Sequence, residues 1–339
     1  MKSTHPALRT LFAVLALLAV FVFAACGSDD EEAGGGASGQ GTGQSGGGQG
    51  ANLIQRDEAN AGKRVTIGSK NFTESIIVAR IYGDALRAAG YDVEYDLNLG
   101  LEQIATRAMR ERQIDGYPEY TGTSLSAVLD VPIRQVPKDP DEAFALSKRL
   151  YKEKLNFEAF ARTPFEDANA VGILPEKAKE FGNPRRISDL ADVAGRMTIA
   201  ASAECFQRTD CGRGLEQVYG LKFKRESPID VALRHEVVES GRADLTIPFT
   251  TDGRIAQNKM IILEDDRNLF PPYNVHFVIR ADAARRLGPN AQRVIERVDD
   301  QLTNEVMTEL NSRVDLDKQR PEDVARSYLE AYGYLPREQ

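Results

Sequence analysis

The chain has 339 residues, enough for two domains of ordinary size, and its 42% hydrophobic and 28% charged residues are typical of a globular protein. The net charge of −8, with no basic block, argues against nucleic acid as a partner, because nucleic-acid affinity comes mostly from Lys and Arg that neutralise phosphates. The three cysteines and three histidines form no C-x-x-C pair and no H-E-x-x-H, so the sequence predicts no metal and no cofactor.

The first 25 residues are predicted to be a secretory signal. Lys2 and Arg9 precede an apolar run at 11–24, which at about 14 residues is too short to span a bilayer. The run ends in small residues followed by Cys26, which resembles a bacterial lipoprotein signal whose cysteine is lipidated. An ordinary signal peptide followed by a chance cysteine is the alternative.

A low-complexity segment follows the cysteine. Residues 27–50 are rich in Gly, Ser and Gln, a composition that cannot build a core and behaves as a flexible coil. We therefore predict a lipidated cysteine and flexible linker over 26–62. A folded part tethered in this way is predicted to work at the cell membrane, lipid-anchored and facing the extracytoplasmic side.

Short apolar runs alternate with amphipathic stretches from Arg64 onward. Strands are predicted at 65–67, 93–97 and 114–117, and helices at 74–89, 101–112 and from 122. The alternation returns with strands at 197–201, 222–226, 245–249 and 260–263, and helices at 212–219, 230–240 and, after 281, down to 332. Such alternation predicts an α/β fold with two units built on mostly parallel sheets.

The sequence carries no enzyme signature that we can identify. G-x-S-x-G, the phosphate-binding P-loop and a G-x-G-x-x-G after a strand are all absent. His235 lies between Arg234 and Glu236 on a predicted helix and is expected to be solvated, whereas His276 lies in an apolar strand and is expected to be a core residue. We therefore predict that the protein is not an enzyme.

One segment combines groups that suit a zwitterion. Residues 117–123 read YPEYTGT, with two tyrosines around a turn and hydroxyls at a new helix N-terminus. A tyrosine face attracts cations, and the free N–H groups of a helix N-terminus attract carboxylates. Simple packing of the two rings is the alternative.

Cys205 and Cys211 are predicted to form a disulfide. The predicted compartment is oxidising, and lipidation of Cys26 leaves these two cysteines. A loop this short gives about 2–2.5 kcal/mol in the chain-entropy model. Two free buried thiols are the alternative.

A set of motifs is spread over about 63–334: GSKNFTE at 68–74, NLG at 98–100, IDGYPEYTGT at 114–123, TDGRI at 251–255, LEDD at 263–266 and FPPY at 270–273. In this order they resemble a known family, the substrate-binding lipoproteins of ABC transporters for glycine betaine, choline and related quaternary amines.

The resemblance implies a two-lobed, periplasmic-binding-protein-like (type II) α/β fold with a ligand cleft. Lobe 1 is expected to comprise 63–168 with 275–339, and lobe 2 is expected to comprise 169–274. The two crossover segments are expected near 169–174 and 273–280, after which the closing helices return to lobe 1.

The family holds a quaternary ammonium in an aromatic box and a carboxylate with basic and hydroxyl groups. By position, the box walls match Tyr120 and Tyr273, and the carboxylate partners match Lys70, Thr123 and Arg208. Two box positions depart from the family pattern, because Asn169 and Phe249 stand where tyrosine is usual. Phenylalanine keeps the ring face, whereas asparagine loses it.

The resemblance implies a monomeric solute-binding protein that delivers a small quaternary amine or zwitterion to an ABC permease subunit, with glycine betaine or choline as the leading solute. Retention of Lys70 together with Arg208 favours a ligand that has a carboxylate. Two alternatives stay open: a binding protein for another cationic or zwitterionic solute, such as an amino acid, and an enzyme on the same scaffold.

Overall fold

The structure is a computed structural model that describes residues 52–337. The predicted signal segment, the lipidation site Cys26 and the linker up to residue 51 lie outside the described residues. Among the described residues, no helix is long and apolar enough to cross a membrane.

The described residues alternate strands and helices, as the sequence predicts. The strands are β1 (Arg64–Gly68), β2 (Asp92–Asp96), β3 (Gly116–Tyr120), β4 (Phe157–Glu166), β5 (Val171–Ile173), β6 (Thr198–Ala201), β7 (Arg225–Pro228), β8 (Leu245–Thr246), β9 (Ile261–Leu263) and β10 (Asn274–Arg280). The α-helices are α1 (Thr73–Ala88), α2 (Glu102–Arg110), α3 (Thr121–Thr123), α4 (Pro140–Leu150), α5 (Pro175–Glu180), α6 (Gly212–Tyr219), α7 (Glu236–Glu239), α8 (Arg254–Gln257), α9 (Ala281–Leu287), α10 (Pro289–Asp299), α11 (Asn304–Asp315) and α12 (Pro321–Ala331).

The strands form two five-stranded sheets with the same plan, which confirms the predicted α/β class. The first sheet has the order β2-β1-β3-β10-β4 and the second has the order β7-β6-β8-β5-β9. In each sheet three neighbouring strands are parallel, and the fourth strand in the order runs antiparallel to both of its neighbours. The sheets are therefore mixed, whereas the alternation predicted mostly parallel ones.

The chain passes between the sheets twice. It leaves the first sheet after β4 and enters the second at β5, so the first crossover occupies residues 167–170. It leaves the second sheet after β9 and returns at β10, so the second crossover occupies residues 264–273. The strand that follows each crossover, β5 or β10, takes the antiparallel position in its sheet.

The closing helices α9–α12 belong to the same unit as the first sheet, where they pack on its strands and on α1. α1 contacts α10, α11 and α12, and its residues Ile77, Ile81 and Ala85 are buried in the same core cluster as residues of those helices. Apolar residues at this spacing form one face of a helix, which explains why the prediction of α1 is accurate to within a residue.

The folded part begins before the boundary predicted at residue 63. Ile54 is buried, and its backbone N–H donates to the carbonyl of Tyr334. The Asn60 amide donates to the carbonyl of Ala89. Residues 54–62 therefore pack against the first unit instead of extending the linker, and the Gly- and Ser-poor composition after Gly50 was the available signal.

The helix predicted at 230–240 is broken. A 3₁₀ turn at Val231–Leu233 is followed by the short α7, and between them Arg234 and His235 turn inward. Both side chains are buried against Asp252, so the prediction that His235 is solvated was wrong. The charge-assisted hydrogen bonds of both side chains to the buried Asp252 carboxylate stabilise this inward turn.

Candidate functional site

The two sheets enclose a small cavity where several strands end. It has a volume of about 30 Å³, and its lining is Lys70, Phe72, Leu101, Glu102, Tyr120, Thr123, Asp167, Asn169, Arg208, Phe249 and Tyr273. The lining includes all seven ligand-binding residues predicted from the sequence. Residues after β1, β3, β4, β6 and β8 contribute, and the carboxyl ends of strands are where α/β folds place ligands.

Aromatic rings form one side of the cavity. The ring centroid of Phe72 lies 5.8 Å from that of Tyr120 and 5.2 Å from that of Phe249. The Arg234 guanidinium covers one face of Phe249, at 4.5 Å from the ring centroid. A Cβ on Gly122 would lie 2.7 Å from the Tyr273 ring, so glycine at this position lets that ring approach.

Lys70 lies against the same aromatic side. Its ammonium nitrogen is 4.4 Å from the Tyr120 ring centroid and donates to Glu119 Oε1 at 2.5 Å. Glu119 also accepts a hydrogen bond from the Tyr117 hydroxyl at 2.7 Å. Lys70 and Glu119 are both almost fully buried, so each depends on the other for charge compensation.

Arg208 forms a polar part of the cavity lining. Its guanidinium donates two hydrogen bonds to the Asp210 carboxylate, at 2.9 and 2.6 Å, and one to the Thr123 hydroxyl at 3.2 Å. A fourth, longer contact reaches Glu102 at 3.4 Å. Arg208 lies midway along the loop that the Cys205–Cys211 disulfide closes, with the two Cα atoms 5.2 Å apart.

Tyr273 and Asn169 are joined to this ion pair. The Tyr273 hydroxyl donates to Asp210 Oδ2 at 2.8 Å, and the Asn169 amide donates to the Tyr273 hydroxyl at 3.0 Å. Burial acts to raise the pKa of Asp210, but the charge of Arg208 and the hydrogen bonds from Arg208 and Tyr273 together outweigh it, so the pKa lies below its ordinary value. Burial, followed by the negative charge of Asp210, raises the pKa of the Tyr273 hydroxyl, which stays neutral.

Two further acidic residues, Glu74 and Asp167, meet next to Tyr120 and are joined by the Thr251 hydroxyl. Thr251 Oγ1 is 2.5 Å from Glu74 Oε2 and 2.7 Å from Asp167 Oδ1. The Tyr120 hydroxyl and the Asn311 amide also donate to Glu74, both at 2.9 Å. Burial raises the pKa of Glu74, and it raises the pKa of Asp167 well above the ordinary value.

The two histidines of the described residues lie away from the cavity lining. His235 Nε2 is 2.8 Å from Asp252 Oδ2, beside the Arg234 guanidinium. His276 is fully buried in β10, as predicted, and burial followed by the charge of Lys70 lowers its pKa to about 3. Among the described residues, no cluster of His, Cys, Asp and Glu has the arrangement of a metal site.

Four lining residues were not predicted from the sequence: Phe72, Leu101, Glu102 and Asp167. Phe72 lies within the GSKNFTE motif, and Asp167 is two positions before Asn169, so both stood next to predicted residues. Their roles depend on contacts between distant segments, which a motif does not reveal.

The family model described as the substrate binding domain of ABC-type glycine betaine transport systems (OpuAC) matches residues 63–331. The glycine-betaine-binding protein of Pseudomonas aeruginosa is 29% identical over 281 residues, covering 79% of this chain and 88% of that protein. The carnitine transport binding protein OpuCC of Listeria monocytogenes is 26% identical over 274 residues, covering 80% and 87%.

The ergothioneine transport permease/ergothioneine binding protein EgtU of Helicobacter pylori is 27% identical over 272 residues, which is 80% of this chain. The match spans about half, 48%, of that longer protein. Among solved structures, that of a glycine betaine/carnitine/choline ABC transporter protein has a TM-score of 0.63 at 24% identity, covering 80% of this chain and 99% of that one. This likeness confirms the expected two-lobed, type II periplasmic-binding-protein-like fold.

Proposed function

The chain belongs to the family of substrate binding domains of ABC-type glycine betaine transport systems, and on this basis we propose that it captures a quaternary-ammonium solute in the cavity between its sheets. Members of this family are solute-binding proteins of ABC importers, which work on the extracytoplasmic side and are not enzymes. Glycine betaine, choline and carnitine are the leading solutes.

The observation that carries the proposal is the composition of the cavity between the two sheets. Rings of Phe72, Tyr120, Phe249 and Tyr273 share its lining with two cations, Lys70 and Arg208. Aromatic faces attract a trimethylammonium group, which has no N–H and cannot form ordinary hydrogen bonds. The contribution is about 2 kcal/mol for a desolvated ring face.

The cavity volume implies that the two sheet units separate to admit solute. About 30 Å³ holds one or two water molecules, far less than a betaine needs. We propose that residues 63–168 with 275–339 form one lobe, that 169–274 form the other, and that the crossovers at 167–170 and 264–273 act as the hinge. Solute affinity then comes from the difference between the open and closed forms.

A ligand carboxylate would compete with carboxylates of the chain. Arg208 has five N–H donors, and its longest acidic contact is with Glu102 at 3.4 Å. A betaine carboxylate can replace Glu102 there while the two hydrogen bonds to Asp210 stay in place. Lys70 is less available to a ligand carboxylate, because its ammonium nitrogen already lies 2.5 Å from Glu119 Oε1.

A second candidate is a solute with N–H or O–H groups in place of one methyl group, such as an amino acid. The Asn169 amide, placed where the family pattern has a ring, supports it, because an amide oxygen accepts from such donors. The name of the Helicobacter pylori relative adds ergothioneine to the solutes worth testing.

We also propose that Cys26 is lipidated and that the protein acts as a membrane-anchored monomer beside an ABC permease. The signal-like segment before Cys26 supports this proposal. Membrane fractionation of wild type and Cys26→Ala tests it. The variant is expected in the soluble fraction, and retention of the variant in membranes would contradict the lipid anchor.

Titration calorimetry of the purified protein with glycine betaine, choline, carnitine, ergothioneine and arginine tests the proposed function. We expect saturable binding of at least one quaternary amine and no product by mass spectrometry. Tightest binding of arginine would favour the second candidate, and binding of none of these solutes would contradict the proposed function.

A further inference from the structure

Gly253 lies where the proposed lobe 2 touches the proposed lobe 1, outside the cavity lining. It is buried in the segment 251–253, which follows β8 and immediately precedes α8. Its neighbour across the lobe boundary is Ser312 on α11. A Cβ on Gly253 would overlap Ser312 Oγ, and it would lie 2.9 Å from Ser312 Cβ and 3.0 Å from Ser312 Cα. The closed arrangement therefore accommodates glycine at this position and rejects a side chain.

The backbone conformation of Gly253 does not itself require glycine. Its φ of −59° and ψ of −26° lie in the right-handed helical region, which every L-residue adopts without strain. Alanine fits this conformation, and it restricts the unfolded chain more than glycine does. The close approach of α11 is therefore the feature of the structure that the missing side chain serves.

Hydrogen bonds hold the same segment against lobe 1. The Thr251 hydroxyl lies 2.5 Å from Glu74 Oε2, and the Asn311 amide donates to the Thr251 carbonyl at 3.2 Å. Ser312 has little freedom to move aside, because its hydroxyl donates to the Thr308 carbonyl at 2.6 Å and α11 packs on α1 and α12. Rotation of the Ser312 hydroxyl would relieve one of the three close contacts and would leave those with Cβ and Cα.

We propose that Gly253 is a positioning residue for solute capture, whose missing side chain lets lobe 2 close against α11 of lobe 1. This inference rests on the proposed function, and it assigns closure around the solute to a contact that the solute does not touch. In the open form the lobes are apart, so a side chain at 253 has no neighbour on α11. Such a side chain raises the free energy of the closed form alone, and the affinity for solute falls with it.

Gly253→Ala tests this role, because it adds one methyl group at the lobe boundary and leaves every cavity-lining residue in place. Gly195→Ala is the matched control: Gly195 is exposed in a short 3₁₀ turn, and a Cβ there would have the Lys222 carbonyl oxygen, at 4.0 Å, as its nearest neighbour. Adding Ser312→Gly to Gly253→Ala is the rescue, because it removes the Ser312 hydroxyl and Cβ and leaves only the 3.0 Å contact with Cα. Titration calorimetry with glycine betaine, choline and carnitine gives the affinities, and small-angle scattering gives the contraction on saturation.

We expect Gly253→Ala to lower the affinity about fivefold to a hundredfold, the range that one extra methyl group costs in a packed core. Its contraction on saturation should be smaller than that of wild type. Gly195→Ala should bind within about twofold of wild type, as substitutions at exposed positions do. The melting temperature of solute-free Gly253→Ala should equal or exceed that of wild type, because alanine fits the backbone of the open form. The added Ser312→Gly should restore part of the lost affinity.

Three results separate the possible errors. Wild-type affinity in Gly253→Ala, with clear binding by wild type, overturns this inference and leaves the proposed function standing. A loss of affinity that Ser312→Gly does not reduce also overturns it, because that result indicates damage within lobe 2 instead of a blocked contact with α11. Failure of wild type to bind any quaternary amine overturns both.

Discussion

Asn169 orients a ring instead of providing one. Its amide donates to the Tyr273 hydroxyl at 3.0 Å, and that hydroxyl in turn donates to Asp210. The position where relatives are expected to offer a third tyrosine face therefore holds an existing tyrosine in place. The side chain is buried, so the hydrogen bond has little competition from water.

Asn169→Ala tests this role. The variant loses one hydrogen bond to Tyr273, worth about 1 kcal/mol, so we expect the affinity for the cognate quaternary amine to fall about threefold to tenfold. Calorimetry gives the affinity, and Asn258→Ala, which alters a partly exposed asparagine bonded to Glu239, serves as the control. Tighter binding by Asn169→Ala would contradict a supporting role for the amide.

The sequence motifs predicted which residues meet but not how their charges are paired. Lys70 and Arg208 were predicted as partners of a ligand carboxylate, and the structure gives each of them a carboxylate of the chain. Thr251 and Glu74 are separated by 177 positions, so their contact follows only from the closed arrangement of the two units. No local pattern carries such information.

At the scale of single elements, the disulfide loop positions the polar side of the cavity. Cys205 and Cys211 close a short loop that contains both Arg208 and Asp210. Constraining this loop in the unfolded chain is worth about 2 kcal/mol in the chain-entropy model. In the folded state the same bond joins the two ends of the loop that carries Arg208.

The double variant Cys205→Ser with Cys211→Ser is expected to lower the free energy of unfolding by about 2 kcal/mol and to weaken solute binding. Urea unfolding and calorimetry measure the two effects, with wild type in reductant as a second route to the open loop. Unchanged stability in both cases would show that the loop holds its shape without the bond.

The break between the 3₁₀ turn and α7 creates a pH-dependent contact. Burial acts to raise the pKa of Asp252, but Arg234 and His235 outweigh it and hold the pKa below the ordinary value. A carboxyl with a depressed folded pKa contributes stability above its unfolded pKa, near 4, and that stability is lost as the pH falls through the folded pKa.

Asp252→Asn should therefore lower the free energy of unfolding at pH 7 by about 3–5 kcal/mol, because Arg234 is left buried without its partner. The difference between variant and wild type should shrink as the pH is lowered below about 4. Urea unfolding at a series of pH values measures it, and a difference that stays constant down to pH 2 would contradict the assignment.

The strand and helix periodicity predicted most elements because core packing follows sequence spacing. The apolar faces of α1 and the closing helices predicted these helices, and the apolar residues around His276 predicted that it is a core residue. The break within the helix predicted at 230–240 was missed because Arg234 and His235 are polar and have their partner, Asp252, in a later loop. The mixed sheets were missed because the two antiparallel strands enter by crossovers whose direction the periodicity does not encode.

The whole molecule is expected to close around its solute. The cavity of the present closed form is too small for a betaine, so solute can enter only an open form, which we expect to prevail in the solute-free protein. Residues of both sheet units contribute to the cavity. Small-angle scattering should show a smaller radius of gyration when a saturating quaternary amine is added to the solute-free protein. A radius that does not change on saturation would contradict hinge closure at the two crossovers.

Capture of a quaternary ammonium by aromatic rings is tested most directly by titrating the cognate amine into wild type, Tyr120→Phe and Tyr120→Leu. The Tyr120 ring lies in the cavity, and its hydroxyl donates to Glu74. Tyr120→Phe keeps the ring and should bind within a few-fold of wild type, whereas Tyr120→Leu keeps apolar volume without the ring and should lose at least about tenfold in affinity. Equal affinities for Tyr120→Leu and Tyr120→Phe would contradict ring-based recognition of the cation.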